Sequence, residues 1–155
     1  MKKILLLMIV FIGMSAFGYD KLPVKITPAS TVSTVFDEIE VGDIVQFKTV
    51  NDVYKNDNVL IPAGTVILGT VDYLSENGWC FDNAQIEFKK FEIIFDDGKK
   101  LKFQSELTID GLDMLKYYYP KWKRFFQYIG TIFRGKEIDI STNPEIIFNL
   151  WYWVK

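Results

Sequence analysis

The 155-residue chain contains no histidine. This absence excludes Ser-His-Asp and Cys-His catalytic groups, because both need an imidazole as the general base. It also excludes most zinc sites, in which histidine is a frequent ligand. The sequence has no glycine-rich phosphate-binding loop that ends in Lys-Ser or Lys-Thr. We therefore predict a protein that is not an enzyme and that uses no metal and no cofactor.

Cysteine is nearly as rare, since Cys80 is the only one in the chain. A single cysteine cannot form an intramolecular disulfide or a cysteine metal cage, so the fold depends on the packing of apolar side chains. Cys80 lies between Trp79 and Phe81, and free cysteine is usually buried. We expect a buried thiol here, and the alternative is a site of intermolecular pairing.

Residues 1–18 have the pattern of a secretory leader. A cationic start precedes an unbroken apolar run over residues 4–12, and Ala16 and Gly18 are the small residues of a cleavage site. The apolar run is shorter than the roughly 20 residues that a membrane-spanning helix needs. We expect a cleaved signal peptide and one exported domain over residues 19–155, located in the periplasm or at the outer membrane or cell surface.

Strand signals dominate from residue 21 to residue 108. β-branched and aromatic residues alternate with polar ones, and turn sequences recur at short intervals. Asn77-Gly78 and Asp96-Asp97-Gly98 predict hairpin turns, and Lys89-Lys90 breaks the alternation and predicts a bulge. These features predict a mainly β fold, a small β-barrel or sandwich, whose sheet is closed by a last strand near residues 146–152.

Two segments of the chain, 34 residues apart, have nearly the same sequence: Pro28-Ala29-Ser30-Thr31-Val32 and Pro62-Ala63-Gly64-Thr65-Val66. Each lies between two strand-like stretches, where small turn-forming residues let a sheet change direction. We expect structural bends at Pro28, Pro62 and Gly64. Gly64 is expected to supply a positive φ or room at the bend, and Gly69 a further interruption of the strand.

The pattern becomes helical at residues 111–135. Apolar residues recur at helical spacing in two groups, and Pro120 between them either begins a second helix or kinks a single one. Residues 111–136 contain six Lys or Arg and one Asp, whereas residues 19–110 contain nine Lys and sixteen Asp or Glu. The sequence therefore predicts an acidic β-barrel with a late, basic and aromatic helical insert.

Cations interleaved with aromatic rings are typical of a membrane interface, where rings lie at the headgroup level and cations face anionic lipid. We expect the insert to contact an anionic membrane surface, cell-wall material or an envelope protein. The alternative is a lid that packs its rings across an open barrel mouth. Export and the acidic body argue against nucleic acid as a partner. The predicted contact residues are Lys116, Lys121, Trp122, Lys123, Arg124, Phe125 and Phe126.

Two other functions remain as alternatives. A barrel lined by Phe, Ile and Val with a helical lid would suit a carrier of a small apolar ligand. Carboxylates cluster over residues 37–43 and at Asp96-Asp97, and a cell-wall glycosidase needs two of them, although such turn carboxylates usually cap turns or stay solvated. The terminal Trp151-Tyr152-Trp153 either closes the barrel or forms an interface of a homo-oligomer.

Asp52-Val53-Tyr54, followed by Val-Leu-Ile-Pro-Ala-Gly-Thr-Val-Ile-Leu-Gly at residues 59–69, resembles the barrel signature of the TrbI-like family. Residues 41–47, 86–88 and 97–101 are similar to the flanking strands and hairpin of that barrel. Proteins of this family form the outer core of bacterial conjugation and type IV secretion machines, and small exported bacterial proteins of unassigned function share a similar pattern. The resemblance implies a barrel fold, an envelope location, no catalytic residues and, as one option, a place in a secretion-type assembly.

Overall fold

The computed structural model describes residues 20–35, 38–140, 142 and 145–154. The predicted signal peptide, residues 1–18, lies outside the described residues. The strands are β1 (Asp20–Pro28), β2 (Val32–Ser33), β3 (Ile44–Thr49), β4 (Val53–Lys55), β5 (Asn58–Ile61), β6 (Val66–Ser75), β7 (Gln85–Ile94), β8 (Lys100–Asp110), β9 (Asp139–Ile140) and β10 (Phe148–Val154). The helices are α1 (Gly111–Tyr118) and α2 (Lys121–Gly130).

The main sheet almost closes on itself. Its six strands have the order β10-β1-β3-β6-β7-β8, and neighbouring strands are antiparallel. The edge strands β8 and β10 meet through side chains, since the ring of Tyr152 packs edge-on against that of Phe103 with centroids 5.1 Å apart. At the same seam, the backbone N–H of Trp151 donates to Ser105 Oγ at 3.2 Å. The prediction of a mainly β, barrel-like fold with late helices is therefore confirmed.

The barrel interior is filled by apolar side chains that alternate along the strands. Phe47 on β3 packs edge-on against Phe88 on β7, with centroids 5.6 Å apart, and both rings are fully buried. The β7–β8 register shifts between Phe88 and Lys90, so inward alternation resumes at Phe91. The bulge predicted at Lys89-Lys90 is confirmed, because an extra residue at this point keeps both Phe88 and Phe91 in the core.

The two matched proline segments are both corners between strands. The first connects the end of β1 at Pro28 to β2, and the second connects the end of β5 to β6 and contains Pro62. Gly64 has a φ of 80°, a conformation that glycine adopts without the steric cost of a Cβ atom. The bends predicted at Pro28, Pro62 and Gly64 are therefore present, and they join the strands as expected.

Both corners are attached to the same strand, β3. At the first corner, the N–H groups of Ala29 and Ser30 donate to the backbone oxygen of Gln46 at 2.8 and 3.2 Å. At the second corner, the N–H of Gly64 donates to the backbone oxygen of Thr49 at 2.8 Å. The repeated sequence thus gives two corners that attach to the same strand, one near its middle and one at its end, because polar backbone groups exposed by a bend need partners.

Gly69 lies within the continuous strand β6, so the predicted interruption at this glycine is wrong. Its backbone pairs with both neighbouring strands, and the nearest irregularity of the β6–β7 ladder follows Thr70. A Cβ atom at Gly69 would lie 3.0 to 3.1 Å from three aromatic rings, those of Phe47, Phe88 and Phe91. The glycine therefore provides space for the aromatic core rather than a bend.

The two hairpin predictions have different outcomes. Asp96-Asp97-Gly98 connects β7 to β8, with Gly98 at a φ of 81° and its N–H donating to the backbone oxygen of Phe95 at 2.9 Å. The predicted tight hairpin at Asn77-Gly78 is wrong, because residues 76–84 form a longer connection between β6 and β7. That longer connection lies beside the helices and becomes part of the surface described next.

Candidate interaction surface

Two short helices follow β8, and the sequence around each accounts for its start. The Asp110 side chain accepts a hydrogen bond from the N–H of Leu112 at 2.7 Å and caps α1. Pro120 has an extended backbone, with φ −64° and ψ 155°, and α2 begins at the next residue. Of the two alternatives for Pro120, the start of a second helix is confirmed, because proline has no N–H with which to continue α1.

The side of α2 that faces the protein is polar. Arg124 and Gln127 are half-buried, and Thr131 just beyond the helix is fully buried. Their spacing of three and four residues places them on one helix face. The Lys136 ammonium donates to Gln127 Oε1 at 2.8 Å, which holds this face to the chain that returns toward β9. No residue of α2 is fully buried, so α2 contributes nothing to the apolar core.

The opposite side of α2 is apolar and points into solvent. Trp122, Phe125, Phe126 and Ile129 follow the i, i+3, i+4, i+7 spacing of a single helix face. The three aromatic side chains expose 65, 63 and 64% of their surface, respectively. A surface helix normally turns its apolar face to the core, so α2 has the reverse orientation. A lid over the barrel mouth would bury these rings, and the exposure of α2 does not fit that alternative.

The predicted lysines lie beside the exposed rings. Lys116, Lys121 and Lys123 are all exposed. Lys123 Nζ lies 5.3 Å from the ring centroid of Trp122, and Lys116 Nζ lies 4.9 Å from that of Tyr117. Cations at these distances interact favourably with the ring faces. Two of the three predicted lysines, Lys116 and Lys123, thus hold their ammonium groups over the aromatic ring of a sequence neighbour.

Arg124 differs from the other predicted contact residues because its guanidinium is bound within the chain. Nε donates to the backbone oxygen of Tyr119 at 2.8 Å, and Nη2 donates to that of Lys116 at 3.0 Å. The last backbone oxygens of a helix have no intrahelical partner. Arg124 therefore supplies partners at the C-terminal end of α1 and joins α2 to it.

Residues 76–84 place the ring of Phe81 against α2 and expose a second aromatic side chain, Trp79. The N–H of Phe81 donates to the backbone oxygen of Thr131 at 2.8 Å, and its ring lies 5.8 Å from that of Tyr128. Trp79 exposes 79% of its surface. Neither aromatic residue is among the contact residues predicted from the sequence. The one local sign in the sequence that these two residues would not lie in a half-buried strand is the run Trp79-Cys80-Phe81, in which no polar residue alternates with the apolar ones.

Cys80 is exposed, so the expectation of a buried thiol is wrong. Cys80 and Phe81 have φ angles of 57° and 67°, in the left-handed region that residues with a Cβ atom rarely adopt. The chain turns sharply here, and consecutive side chains are not sorted into one buried and one exposed set as they are in a strand. The apolar neighbours of Cys80 therefore did not predict burial.

We call the exposed apolar side chains of the loop and of the helical segment the aromatic surface, and the contact of Phe81 with Tyr128 connects its two parts. It consists of Trp79, Phe81, Tyr118, Trp122, Phe125, Phe126, Tyr128, Ile129, Ile132 and Phe133. Apolar patches larger than a few hundred Å² are uncommon on soluble monomers and mark sites of interaction with proteins, membranes or ligands. The aromatic surface is therefore the strongest candidate site in the described part of the chain.

The hydroxyl of Tyr118 connects the aromatic surface to strand β9. This hydroxyl donates to the backbone oxygen of Asp139. Partial burial raises the pKa of this phenol, and the carboxylate of Asp139 raises it further. Tyr118 is therefore a neutral hydrogen-bond donor near neutral pH, and it holds the C-terminal end of α1 against β9.

The carboxylates and cavities elsewhere give weaker candidates. A hydrogen bond from the Lys99 ammonium lowers the pKa of Asp97. The Asp97 carboxylate is thus bound within the turn between β7 and β8. Within residues 20–35, 38–140, 142 and 145–154, no group of three His, Cys, Asp or Glu is placed to bind a metal ion. One cavity is an open groove of about 630 Å³, whose lining includes Leu68, Lys90 and Lys102.

None of the helices described is long and apolar enough to cross a membrane. A scan against models of known protein families finds no match for the chain. A search of curated proteins also finds none that matches. The resemblance to the TrbI-like barrel therefore stays a prediction, and the case for function depends on the geometry of the aromatic surface.

Proposed function

We propose that this chain is an exported, non-enzymatic envelope protein that docks on an anionic membrane surface through the aromatic surface and the lysines beside it. The orientation of α2 is the observation that carries this proposal. Arg124 and Gln127 face the protein, while Trp122, Phe125 and Phe126 face solvent. A short helix with rings on one face and lysines beside them suits the plane of a membrane interface, with its apolar side between headgroups and acyl chains.

Charge favours an anionic lipid surface over other partners. The helical segment, residues 111–136, has an excess of five positive charges, whereas residues 19–110 have an excess of seven negative charges. An anionic surface attracts the first and repels the second. The charge asymmetry therefore turns the aromatic surface toward the membrane and the barrel away from it. Lys121 and Lys123, both exposed on α2, flank Trp122 in the sequence, and Lys123 Nζ lies 5.3 Å from its ring centroid.

The expected energies correspond to reversible, peripheral binding. Transfer of a large apolar side chain out of water contributes about 1.5 to 3 kcal/mol when it is complete. A lysine close to an anionic bilayer contributes about 1 kcal/mol. Partial insertion of Trp122, Phe125 and Phe126, together with attraction of Lys121 and Lys123, therefore gives several kcal/mol before the loss of molecular freedom on binding is subtracted.

Two sequence-based predictions support the envelope location. The leader pattern of residues 1–18 predicts export. The TrbI-like resemblance of residues 52–69 implies a barrel that works in the bacterial envelope. The absence of histidine from the whole chain agrees with a binding role, because it excludes the most common general base.

Vesicle flotation tests the proposal directly. The chain from Tyr19 onward, which includes every described strand and helix, is mixed with vesicles of phosphatidylcholine alone or with added phosphatidylglycerol. We expect flotation with the anionic vesicles. Trp122→Ala with Phe126→Ala should lower the bound fraction strongly, and Lys121→Ala with Lys123→Ala should lower it in a salt-sensitive way.

The matched control removes two barrel lysines, with Lys25→Ala and Lys48→Ala, and we expect it to leave binding nearly unchanged. Both control lysines are exposed on strands β1 and β3, so the change in net charge equals that of the test variant. No flotation of the unmodified chain, or equal flotation of all variants, would reject the proposal. A dimer in solution that Trp122→Ala with Phe126→Ala converts to a monomer would also reject it, and would assign the surface to a second copy.

A further inference from the structure

We propose that the loop over residues 76–84 is a second membrane-insertion element that acts together with α2. We further propose that its contribution is apolar and nearly independent of salt. This inference rests on the proposed function and specifies which residues enter the lipid. The loop lies between β6 and β7, far in sequence from the insert at 111–135.

Exposure identifies the inserting side chain of this loop. Trp79 exposes 79% of its surface, more than any other large apolar side chain that the structure describes. Phe81, two residues later, is 46% exposed and contacts Tyr128 at the flank of α2. Tryptophan is enriched at membrane interfaces because its indole combines a large apolar ring with an N–H donor. The loop therefore adds an interfacial anchor, Trp79, and contacts α2 through Phe81.

Backbone hydrogen bonds connect the loop firmly to the chain that follows α2. The N–H of Phe81 donates to the backbone oxygen of Thr131 at 2.8 Å. The N–H of Gly135 donates to the backbone oxygen of Gly78 at 2.8 Å, and Asn77 Nδ2 donates to that of Gly135 at 2.9 Å. Elements held in one arrangement before binding lose less conformational freedom on binding. The loop and α2 thus present their rings as one preformed surface.

Gly135 makes this close attachment possible. A Cβ atom at this position would lie 1.7 Å from the backbone oxygen of Asp82, so only glycine permits the two segments to approach. The loop itself contains two consecutive residues, Cys80 and Phe81, in the left-handed region. Such conformations persist only where surrounding contacts enforce them, and they occur preferentially at functional sites. Here the turn directly follows Trp79, which stays exposed to solvent.

The charges of the loop differ from those of α2. Residues 76–84 contain Glu76 and Asp82 but no Lys or Arg, whereas α2 contains Lys121, Lys123 and Arg124. Anionic lipid therefore attracts the helix but not the loop. Since salt screens attraction between charges and leaves apolar transfer largely intact, the two elements should respond differently to ionic strength.

The experiment measures the partition constant of the chain from Tyr19 onward on phosphatidylcholine vesicles that contain phosphatidylglycerol, at low and high salt. We expect Trp79→Ala to lower the partition constant by about tenfold at both salt concentrations. We expect Trp79→Phe to lower it less. The loss caused by Lys121→Ala with Lys123→Ala should shrink at high salt. Trp153→Ala, which removes an exposed ring from β10, is the matched control and should have little effect.

The single cysteine provides a second readout in the unmutated chain. Cys80 is exposed and adjacent to Trp79, so a thiol-reactive fluorophore that is sensitive to polarity reports the surroundings of the loop. We expect a blue shift of its emission on addition of anionic vesicles, and quenching by lipids with brominated acyl chains.

Unchanged partition of Trp79→Ala, with Cys80 label emission that vesicles do not alter, would overturn the inference. If Trp122→Ala with Phe126→Ala still abolished binding in the same assay, the proposed function would stand with α2 alone. Failure of the unmodified chain to bind would reject both. Equal urea unfolding midpoints for Trp79→Ala and the unmodified chain would show that any loss of binding is not a loss of folding, as expected for a side chain this exposed.

Discussion

The guanidinium Nε of Arg124 donates a hydrogen bond to the backbone oxygen of Tyr119, 2.8 Å away, across the junction between α1 and α2. The same side chain also binds the backbone oxygen of Lys116, so Arg124 joins α2 to the end of α1. Trp122 and Phe126, on the opposite face of α2, are exposed. The charge pattern predicts that Arg124 contacts the membrane, but its guanidinium instead forms hydrogen bonds within the helix pair.

Arg124→Gln should lower the free energy of unfolding by about 1 to 2 kcal/mol, since two hydrogen bonds from a charged donor to helix-end carbonyls are lost at a half-buried position. Lys123→Gln removes the same charge from an exposed position and should change stability by less than about 0.5 kcal/mol. Urea unfolding followed by circular dichroism measures both values. Equal effects of the two substitutions would contradict the capping role of Arg124.

Gly69→Ala should destabilise the barrel by about 1 to 3 kcal/mol, because the added methyl group would press against three aromatic rings of the core. Gly130→Ala is the matched change at the end of α2, where a Cβ atom meets nothing within 4 Å. That substitution should be neutral or stabilising, by up to about 1 kcal/mol, since alanine favours helix more than glycine. Thermal and urea unfolding compare the pair, and a Gly69→Ala protein as stable as the parent would show that the rings have room to move.

Thr49→Val should weaken the corner at Pro62. Thr49 Oγ1 donates to the backbone oxygen of Pro62 at 2.7 Å and accepts from the N–H of Thr65 at 2.9 Å, and Thr49 is buried. We expect a loss of about 1 to 2 kcal/mol, because buried backbone groups lose a hydrogen-bond partner while side-chain volume is unchanged. Thr108→Val, at an exposed position of β8, serves as the control. No difference between the two variants in urea unfolding would mean that the hydroxyl is dispensable at this corner.

Stability should fall in strongly alkaline solution partly because of Tyr152 at the barrel seam. Burial raises the pKa of this phenol above its ordinary value of 10.0. The unfolded chain therefore ionises first, so the stabilising effect is complete below about pH 10 and is lost as pH rises toward and through the folded-state pKa. Tyr152→Phe should reduce the alkaline loss and leave the pH dependence near neutrality unchanged. Urea midpoints measured from about pH 8 to about pH 11 test this, and identical curves for both proteins would contradict it.

Much of the fold was predictable because its determinants are local. Alternation of apolar and polar residues predicted the strands, and Asp96-Asp97-Gly98 predicted a turn that the structure contains. Pro120 identified the position where one helix ends and another begins, since proline lacks the N–H that a continuing helix needs. The repeated Pro-Ala segments predicted both corners, whereas their common attachment to β3 depends on contacts between distant residues.

The wrong predictions share one cause. Asn77-Gly78 has the residue types of a tight hairpin, yet residues 76–84 form a longer loop because their backbone groups bind the chain after α2. Cys80 has apolar neighbours on both sides, yet the left-handed turn at Cys80 and Phe81 exposes all three side chains. Gly69 resembled a strand breaker, but its role is to make room for rings on other strands. In each case tertiary contacts outweighed a local preference.

The amino-acid sequence by itself determined which side chains share a face: the inward set of each strand, and the separation of Trp122, Phe125 and Phe126 from Arg124 and Gln127 around α2. It also excluded imidazole chemistry, since the chain has no histidine. Only the tertiary structure decided that the apolar face of α2 points outward and that the loop containing Trp79 binds the chain after α2. The reason is that periodicity defines a face but not what covers it, and the barrel interior is already filled by strand side chains such as Phe47 and Phe88.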